Sequence, residues 1–216
     1  MENDETASDL DRRVAARLKN LRAQRGLTLD ELAKRSGVSR SMISFIERAE
    51  SSPTARVLDK LAASLGVSLA ALFADEERID AAPVSRRADQ LRWCDPETGY
   101  VRRTLSPLGF PSPLNLVEVV LPPHTRVAYD SGPRAAAVYH QIWVIKGSVK
   151  VTRGDDRYVL ATGDCLALQI EGPIAYHNAG AGAARYIIAT TTDAIPLTPG
   201  CSPDKTSLMP QSTITT

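Results

Sequence analysis

A short polar stretch carries the side chains with the most recognisable chemistry: Arg40, Ser41, Ser44, Phe45 and Arg48. On a helix they would lie opposite an apolar stripe predicted to be buried, which consists of Ile43, Ile46 and, beside them, Met42. An arginine can donate two hydrogen bonds to the edge of a guanine, and a serine can donate to or accept from several bases. The stretch therefore predicts a surface that contacts the groove of a nucleic acid, provided that a helix presents it.

The surrounding sequence, LTLDELAKRSGVSRSMISFIER (residues 27–48), predicts two short helices joined by a turn. Thr28 is suited to cap the first helix, and Glu31 stands three residues later, where its carboxylate can reach back to the Thr28 amide. Gly37 can adopt the left-handed conformation that ends this helix. Ser39 is suited to cap the second helix. Two helices joined by a short glycine-containing turn form a helix-turn-helix.

Two of these caps are themselves candidate contacts. A helix N-terminus offers unpaired amide groups and the positive end of its dipole, which favour a phosphate. We therefore expect Thr28 and Ser39 to bind the phosphate backbone. Although the net charge of the chain is only +1, residues 10–73 contain 12 Lys and Arg against 6 Asp and Glu. That excess also favours a phosphate-facing surface, although a solvated helical face would have the same composition.

Three further helices are predicted around this pair. An apolar face with helical spacing precedes it, formed by Leu10, Val14, Leu18 and Leu21. Ser8 is the predicted cap of that helix, after a disordered segment at residues 1–8. Thr54 and Ser68 are suited to cap two helices that follow the pair. Residues 9–75 are thus predicted to form a five-helix domain.

This unit resembles the lambda-repressor/Cro-like (Xre family) DNA-binding domain. The match lies in LKNLRAQRGLTLDELAKRSGVSRSMISFIERAESSPT and continues through LDKLAASLGVSLAALF. One departure is Ala49, where the family commonly has glycine after the second helix of the motif. The resemblance implies double-stranded DNA as a partner, with the helix from Ser39 in the major groove and Arg40 and Ser41 at its base-contacting end.

The second half of the chain has a different pattern. Residues 76–88 are charged and then rich in Ala, Pro, Ser and Arg, which predicts a linker. From residue 89 to 195, short runs of β-forming residues alternate with Gly, Pro and Asp turns, as in CLALQI at residues 165–170. This pattern predicts an antiparallel β-barrel or jelly roll, so the whole chain is a multidomain α + β protein. A flexible tail is expected at residues 196–216.

The β region resembles the two conserved motifs of a cupin, in YHQIWVIKGSVKVTRGDDRYVLATGDCLAL and PIAYHNAG. Metal-binding cupins carry a His-x-His pair and a Glu in the first motif, and a further His in the second. At those positions this chain keeps only His140, and Ile174 replaces the last histidine. We therefore expect no catalytic residue, no metal and no cofactor.

A cupin without its metal ligands still encloses a cavity. Five residues are candidates to line a mostly apolar pocket for a small-molecule effector: Tyr139, His140, Ile142, Tyr176 and Asn178. The alternative is a filled barrel that serves only for dimerisation.

Composition restricts the cellular compartment that we expect for the protein. No apolar run approaches the roughly 20 residues of a membrane span, the acidic N-terminal sequence lacks a secretory signal, and Cys94, Cys165 and Cys201 are odd in number and widely spaced. We expect a cytoplasmic, homodimeric bacterial transcriptional regulator with no membrane association. Two alternatives stay open: a metal-dependent cupin enzyme such as a dioxygenase or isomerase, and a helical module that binds protein, as in some antitoxins.

Overall fold

The computed structural model describes residues 2–73, 81–129 and 138–191, with side chains from Leu10 onward. The predicted tail at residues 196–216 and part of the predicted linker, residues 76–80, lie outside the described residues. Five helices form the first half: α1 (Glu2–Gln24), α2 (Leu29–Ser36), α3 (Arg40–Glu47), α4 (Ala55–Ser64) and α5 (Leu69–Leu72). The predicted five-helix unit is therefore confirmed.

Helix α1 begins earlier than the sequence indicated. It includes residues 2–8, so the predicted cap at Ser8 is wrong and the predicted disordered segment is helical from Glu2. These residues contain no proline or glycine, and an existing helix extends by one residue at a much lower cost than a new helix requires.

The remaining helices begin at the predicted caps. In each case the cap side chain accepts a hydrogen bond from the amide three residues later, at Thr28, Ser39, Thr54 and Ser68. The predicted apolar face of α1 is buried, with each of its four side chains at most 4% exposed. Arg22 connects α1 to α3 through a doubly hydrogen-bonded ion pair with Glu47, in which both nitrogen–oxygen distances are 2.7 Å.

Ten strands lie in the described part of the second half: β1 (Arg92–Cys94), β2 (Val101–Thr104), β3 (Leu114–Leu121), β4 (Arg126–Tyr129), β5 (Tyr139–Lys146), β6 (Ser148–Arg153), β7 (Asp156–Ala161), β8 (Cys165–Gln169), β9 (Ile174–His177) and β10 (Ala184–Thr191). They form two antiparallel sheets, in the orders β1-β2-β3-β10-β5-β8 and β4-β9-β6-β7. The eight strands from β3 to β10 have the order of a jelly roll, which confirms the predicted fold class.

The hairpin of β1 and β2 was not predicted, because its strands are only three and four residues long. Its turn contains Asp95, whose buried carboxylate accepts hydrogen bonds from the amide and hydroxyl of Thr98. This added hairpin extends one edge of the larger sheet and packs against the helices.

Contacts between the two halves are specific. The second carboxylate oxygen of Asp95 accepts a hydrogen bond from the Ala55 amide at 3.0 Å, in the first turn of α4. The ring of Trp93 on β1 packs at 5.6 Å from the ring of Phe73, which directly follows α5. Although residues 81–88 contain neither helix nor strand, these contacts hold the helical domain against the β domain.

Candidate DNA-binding face and interface cavity

The candidate DNA-binding face comprises the predicted contacts on α2 and α3: Thr28, Ser39, Arg40, Ser41, Ser44, Phe45 and Arg48. It is held from behind by Ile43 and Ile46, whose side chains are at most 1% exposed. Because α3 has only eight residues, these two anchors largely decide which side of the helix faces solvent.

At the N-terminus of α3, Arg40 and Ser41 are exposed. The guanidinium of Arg40 pairs with Asp30 on α2 at 3.2 Å between Nε and Oδ1, and both side chains are more than 60% exposed. An ion pair this open contributes little stability. Arg40 can therefore exchange Asp30 for a base edge at small cost.

The caps order both helix N-termini. The Ser39 hydroxyl accepts a hydrogen bond from the Met42 amide at 3.3 Å and lies 3.2 Å from the Ser41 hydroxyl. At α2, the Thr28 amide and hydroxyl each donate to the Glu31 carboxylate at 2.8 Å. These hydrogen bonds lower the pKa of Glu31, because they stabilise its ionised form.

Arg48 is held at the end of α3. It donates to the Ser44 hydroxyl at 2.5 Å and to both carboxylate oxygens of Glu50 at 2.7 and 2.8 Å, and its guanidinium lies 5.1 Å from the centre of the Phe45 ring. The pKa of Arg48 is raised and that of Glu50 lowered by their hydrogen bond. Sequence analysis missed Glu50, because nothing in its spacing from Arg48 indicated a contact.

Met42 corrects the predicted buried stripe. Its side chain is 39% exposed, close to the 44% of Phe45. Ile43 and Ile46 are three residues apart and share one helical face, whereas Met42 is rotated by about 100° from Ile43. The exposed side of α3 therefore also offers apolar side chains, which can contact thymine methyl groups.

A second candidate site, the interface cavity, lies between the two domains. Its helical wall consists of Asp59, Ser68, Leu69 and Ala70, and its β-domain wall includes Arg102, Tyr129, His140, Ile174, Tyr176 and Thr190. The cavity has a volume of about 40 Å³. A single water needs roughly 10–15 Å³, so the space suits a molecule of only a few heavy atoms.

Two of the five predicted effector-pocket residues line this cavity. His140 and Tyr176 meet there, with Nδ1 of the imidazole 3.3 Å from the phenol oxygen. Tyr139 points to the other face of β5 and lines a separate groove on the outside of the larger sheet. Strand alternation directs the two side chains to opposite faces of β5. Tyr139 is therefore absent from the interface cavity, whereas His140 borders both the cavity and the groove.

Ile142 and Asn178 are also absent from the cavity wall. Ile142 points inward but is fully buried in the core. The side-chain amide of Asn178 donates to the carbonyls of Leu121, Pro122 and Gly182, and its oxygen accepts from the Gly180 amide. Asn178 thereby fastens two loops together and has a structural role.

Two cavity residues that sequence analysis missed are Arg102 and Tyr129. Arg102 is 6% exposed and stands on β2 directly opposite Trp93. Burial raises the pKa of Tyr129 well above its ordinary value, so its phenol is neutral. The sequence of β2, VRRT, has no apolar and polar alternation that marks Arg102 as the inward-facing residue, so its burial could not be predicted locally.

No three His, Cys, Asp or Glu side chains come together as a metal site in the parts of the chain that the structure describes. Among the same residues, no helix has the length and apolar character needed to cross a membrane.

Comparisons with known proteins agree with this architecture. The helix-turn-helix model HTH_3 matches residues 18–72. The HTH-type transcriptional regulator PuuR of Escherichia coli strain K12 is 30% identical over 177 residues, which cover 81% of this chain and 92% of that relative. SutR, an HTH-type transcriptional regulator of the same organism, is 49% identical over 59 residues, or 27% of this chain and 33% of that one.

A solved HTH_3 family transcriptional regulator from Vibrio cholerae superposes with a TM-score of 0.66 and 29% identity, over 87% of this chain and 99% of that one. The fold and these matches define a DNA-binding transcriptional regulator with an N-terminal helix-turn-helix domain and a C-terminal jelly-roll domain. The chain belongs to the family of HTH-type transcriptional regulators.

Proposed function

We propose that this regulator binds an operator in double-stranded DNA as a homodimer, with α3 in the major groove, and that its cupin-like domain both dimerises and binds a small effector. The observation that carries the proposal is the exposed N-terminal end of α3. There Arg40 and Ser41 project to solvent beside the capped N-terminus of the same helix. This is the end of a recognition helix that reaches base edges.

The DNA contact is tested with Arg40→Ala. After operator sequences have been selected from a random pool with the wild type, we expect the variant to bind them about 10- to 100-fold more weakly and with relaxed base preference, because one arginine–guanine contact provides roughly 1–3 kcal/mol. Arg157→Ala is the control, since Arg157 is exposed on β7 of the other domain. Equal affinity and selectivity of wild type and Arg40→Ala would rule out this recognition role.

Salt dependence separates DNA binding from the protein-binding alternative. Contacts to phosphates release counterions, so the affinity should fall steeply and linearly on a log–log plot as salt rises. The absence of any selected sequence, together with capture of a specific protein, would instead favour a protein-binding module.

The outer face of the larger sheet supports the homodimer. Trp143 on β5 is 50% exposed and lies opposite Ile187 and Cys165 on the neighbouring strands. A groove on the same face is lined by Leu114 and Ala189 among others. The face also carries Glu118, which lies opposite Ile187 and pairs with Arg103 and Arg185. An exposed sheet face that combines apolar side chains with charges of both signs is suited to pair with a second copy of itself about a two-fold axis.

We expect Trp143→Glu to convert the dimer to monomers in analytical ultracentrifugation, because it puts a charge at the centre of that face. Val159→Glu is the matched control, since Val159 is 74% exposed on the smaller sheet. A Trp143→Glu variant that remains dimeric would move the dimer contact elsewhere.

The proposal includes no catalysis. Elemental analysis of the purified protein distinguishes it from the enzyme alternative, for which stoichiometric Fe, Mn, Ni or Zn would be expected.

A further inference from the structure

The interface cavity contains an unusual group, the side chain of Arg102. Its guanidinium is 5.4 Å from the centre of the Phe73 ring, which comes from the helical domain. Among the fully buried side-chain nitrogen and oxygen atoms of the described residues, its Nε is the one with no hydrogen-bond partner. A guanidinium remains charged at all physiological pH values, and a buried donor without an acceptor is costly. An acceptor supplied from outside the protein would remove that cost.

The other residues of the cavity wall restrict the kind of ligand that can supply the acceptor. Leu69, Ile170, Ile174 and Ile188 make much of the surface apolar. The other ionisable group buried in the wall, Asp59, already has an interaction partner, so a ligand does not need to pair with it. His140 is hydrogen-bonded to Tyr176. A ligand that fits therefore combines one anionic acceptor with a short apolar chain.

A second space adjoins the interface cavity. A cleft of about 460 Å³ lies between α1 and the segment after β2, and it shares Arg102 and Ala70 with the interface cavity. Arg17 also lines this cleft, whereas no Asp or Glu is found among its described lining residues. Two arginine side chains in the lining of this cleft favour the approach of an anion.

We infer that the interface cavity binds a short-chain monocarboxylate of about three to five heavy atoms through Arg102, and that the bound molecule contacts both domains. This inference rests on the proposed function and gives the effector a chemical class and a site. The guanidinium of Arg102 donates to the carboxylate, and the alkyl chain occupies the apolar part of the cavity. Charge-assisted hydrogen bonds of this type are stronger than neutral ones.

The position of the site provides a mechanism of regulation. Ser68 and Ala70 are in or next to α5 of the DNA-binding domain, whereas Arg102 is in the β domain. The complete site exists only while the two domains are docked, so the carboxylate binds the docked arrangement preferentially and stabilises it. If docking changes operator affinity by some factor, operator DNA must change carboxylate affinity by the same factor.

The first experiment uses the full chain and needs no variant. In calorimetric titration we expect propionate to bind saturably with one site per protomer. Propionamide, which has the same shape without the charge, should bind at least about tenfold more weakly. Hexanoate should also bind more weakly than propionate, because its chain exceeds the cavity. Absence of saturable propionate binding, or equal affinity for the amide, would overturn the inference.

The second experiment assigns the site. Arg102→Met keeps an unbranched side chain but removes the donors, and it should weaken propionate binding at least about tenfold. Arg103→Met is the matched control, because Arg103 faces the other side of β2 and its partner Glu118 also pairs with Arg185. Binding that is retained in Arg102→Met, or lost equally in Arg103→Met, would place the carboxylate elsewhere.

Operator binding is measured in parallel on the same samples. If Arg102-dependent propionate binding is present but no DNA sequence is selected, the carboxylate site stands and the proposed DNA function fails. If DNA is bound but propionate is not, the proposed DNA function stands and the carboxylate site fails.

Discussion

Ala49 adopts the left-handed backbone conformation that glycine commonly adopts at this position in the family. It has a φ of 55°, in the left-handed region, at the point where the chain leaves α3. The Ala49 amide donates to the Ile46 carbonyl, and the Glu50 amide donates to the Phe45 carbonyl. These are the hydrogen bonds of a helix end that usually has glycine, since a Cβ is disfavoured in this conformation.

We therefore expect Ala49→Gly to stabilise the protein by about 0.5–1 kcal/mol, as the relief of strain exceeds the added flexibility of the unfolded chain. Ala16→Gly, at an exposed position within α1, should instead destabilise it by about 1 kcal/mol. Urea unfolding followed by circular dichroism measures both. A destabilised Ala49→Gly variant would contradict the left-handed assignment.

At the residue scale, the positions that hold ligands in metal-binding cupins have other roles in this protein. His140 is hydrogen-bonded to a neighbouring tyrosine, and Ile174 adds apolar surface. Asn178, at the position of a conserved cupin asparagine, holds loops through its amide. Sequence analysis could identify which groups were present, but the number of hydrogen bonds that each one makes depends on loops distant in the chain.

At the scale of elements, a carboxylate at the start of α2 makes the stability of the fold depend on pH. The Glu31 carboxylate accepts two hydrogen bonds from Thr28, and its pKa is lowered as a result. A carboxyl group whose folded pKa lies below its unfolded value stabilises the fold above the unfolded pKa of about 4.3. That contribution is lost as the pH falls through the folded pKa.

Glu31→Gln tests this pH dependence, because glutamine can still accept from the Thr28 amide but does not titrate over this range. We expect the wild type to be the more stable protein near neutral pH, and the difference in melting temperature to shrink as the pH falls below about 4.3. Glu50 titrates in the same direction in both proteins, so the comparison isolates Glu31. A difference that is constant with pH would exclude a stabilising role of the Glu31 charge.

Strand alternation explains which of the predicted pocket residues can line the interface cavity. In β9, Ile174 and Tyr176 line the interface cavity, as residues two apart on one strand must share a face. The same rule turns Tyr139 away from the interface cavity, which His140 lines. Applied to each strand in turn, alternation predicts which residues face inward, but it does not tell which inward positions border a cavity and which fill the core.

At the scale of the whole molecule, Asp95 is the contact that fastens the domains. Its carboxylate lies at the N-terminus of α4, where an anion is favoured by the helix dipole and accepts the hydrogen bond of the Ala55 amide. We expect Asp95→Ala to destabilise the protein by about 1–3 kcal/mol, because buried donors lose their acceptor. The weakened docking should also separate the unfolding of the two domains.

The fluorescence of Trp93 reports whether the two domains are docked. The chain has two tryptophans, so Trp143→Phe leaves the buried Trp93, which packs between Phe73 and Tyr100 at the domain contact. In that background, Asp95→Ala should shift the Trp93 emission to longer wavelength. Glu97→Ala, exposed in the same turn, should leave it unchanged. An unshifted spectrum in Asp95→Ala would mean that other contacts suffice for docking.

The sequence by itself determined the helix-turn-helix, its caps at Thr28 and Ser39, and the jelly-roll class of the second half. Caps and periodicities act between residues at most a few positions apart, so the local sequence contains the whole signal. The tertiary structure alone decided that the domains dock and that Arg102 is buried at their boundary. The Ala55–Asp95 hydrogen bond joins residues 40 positions apart, and a contact of that range depends on how complete domains pack, which no local pattern specifies.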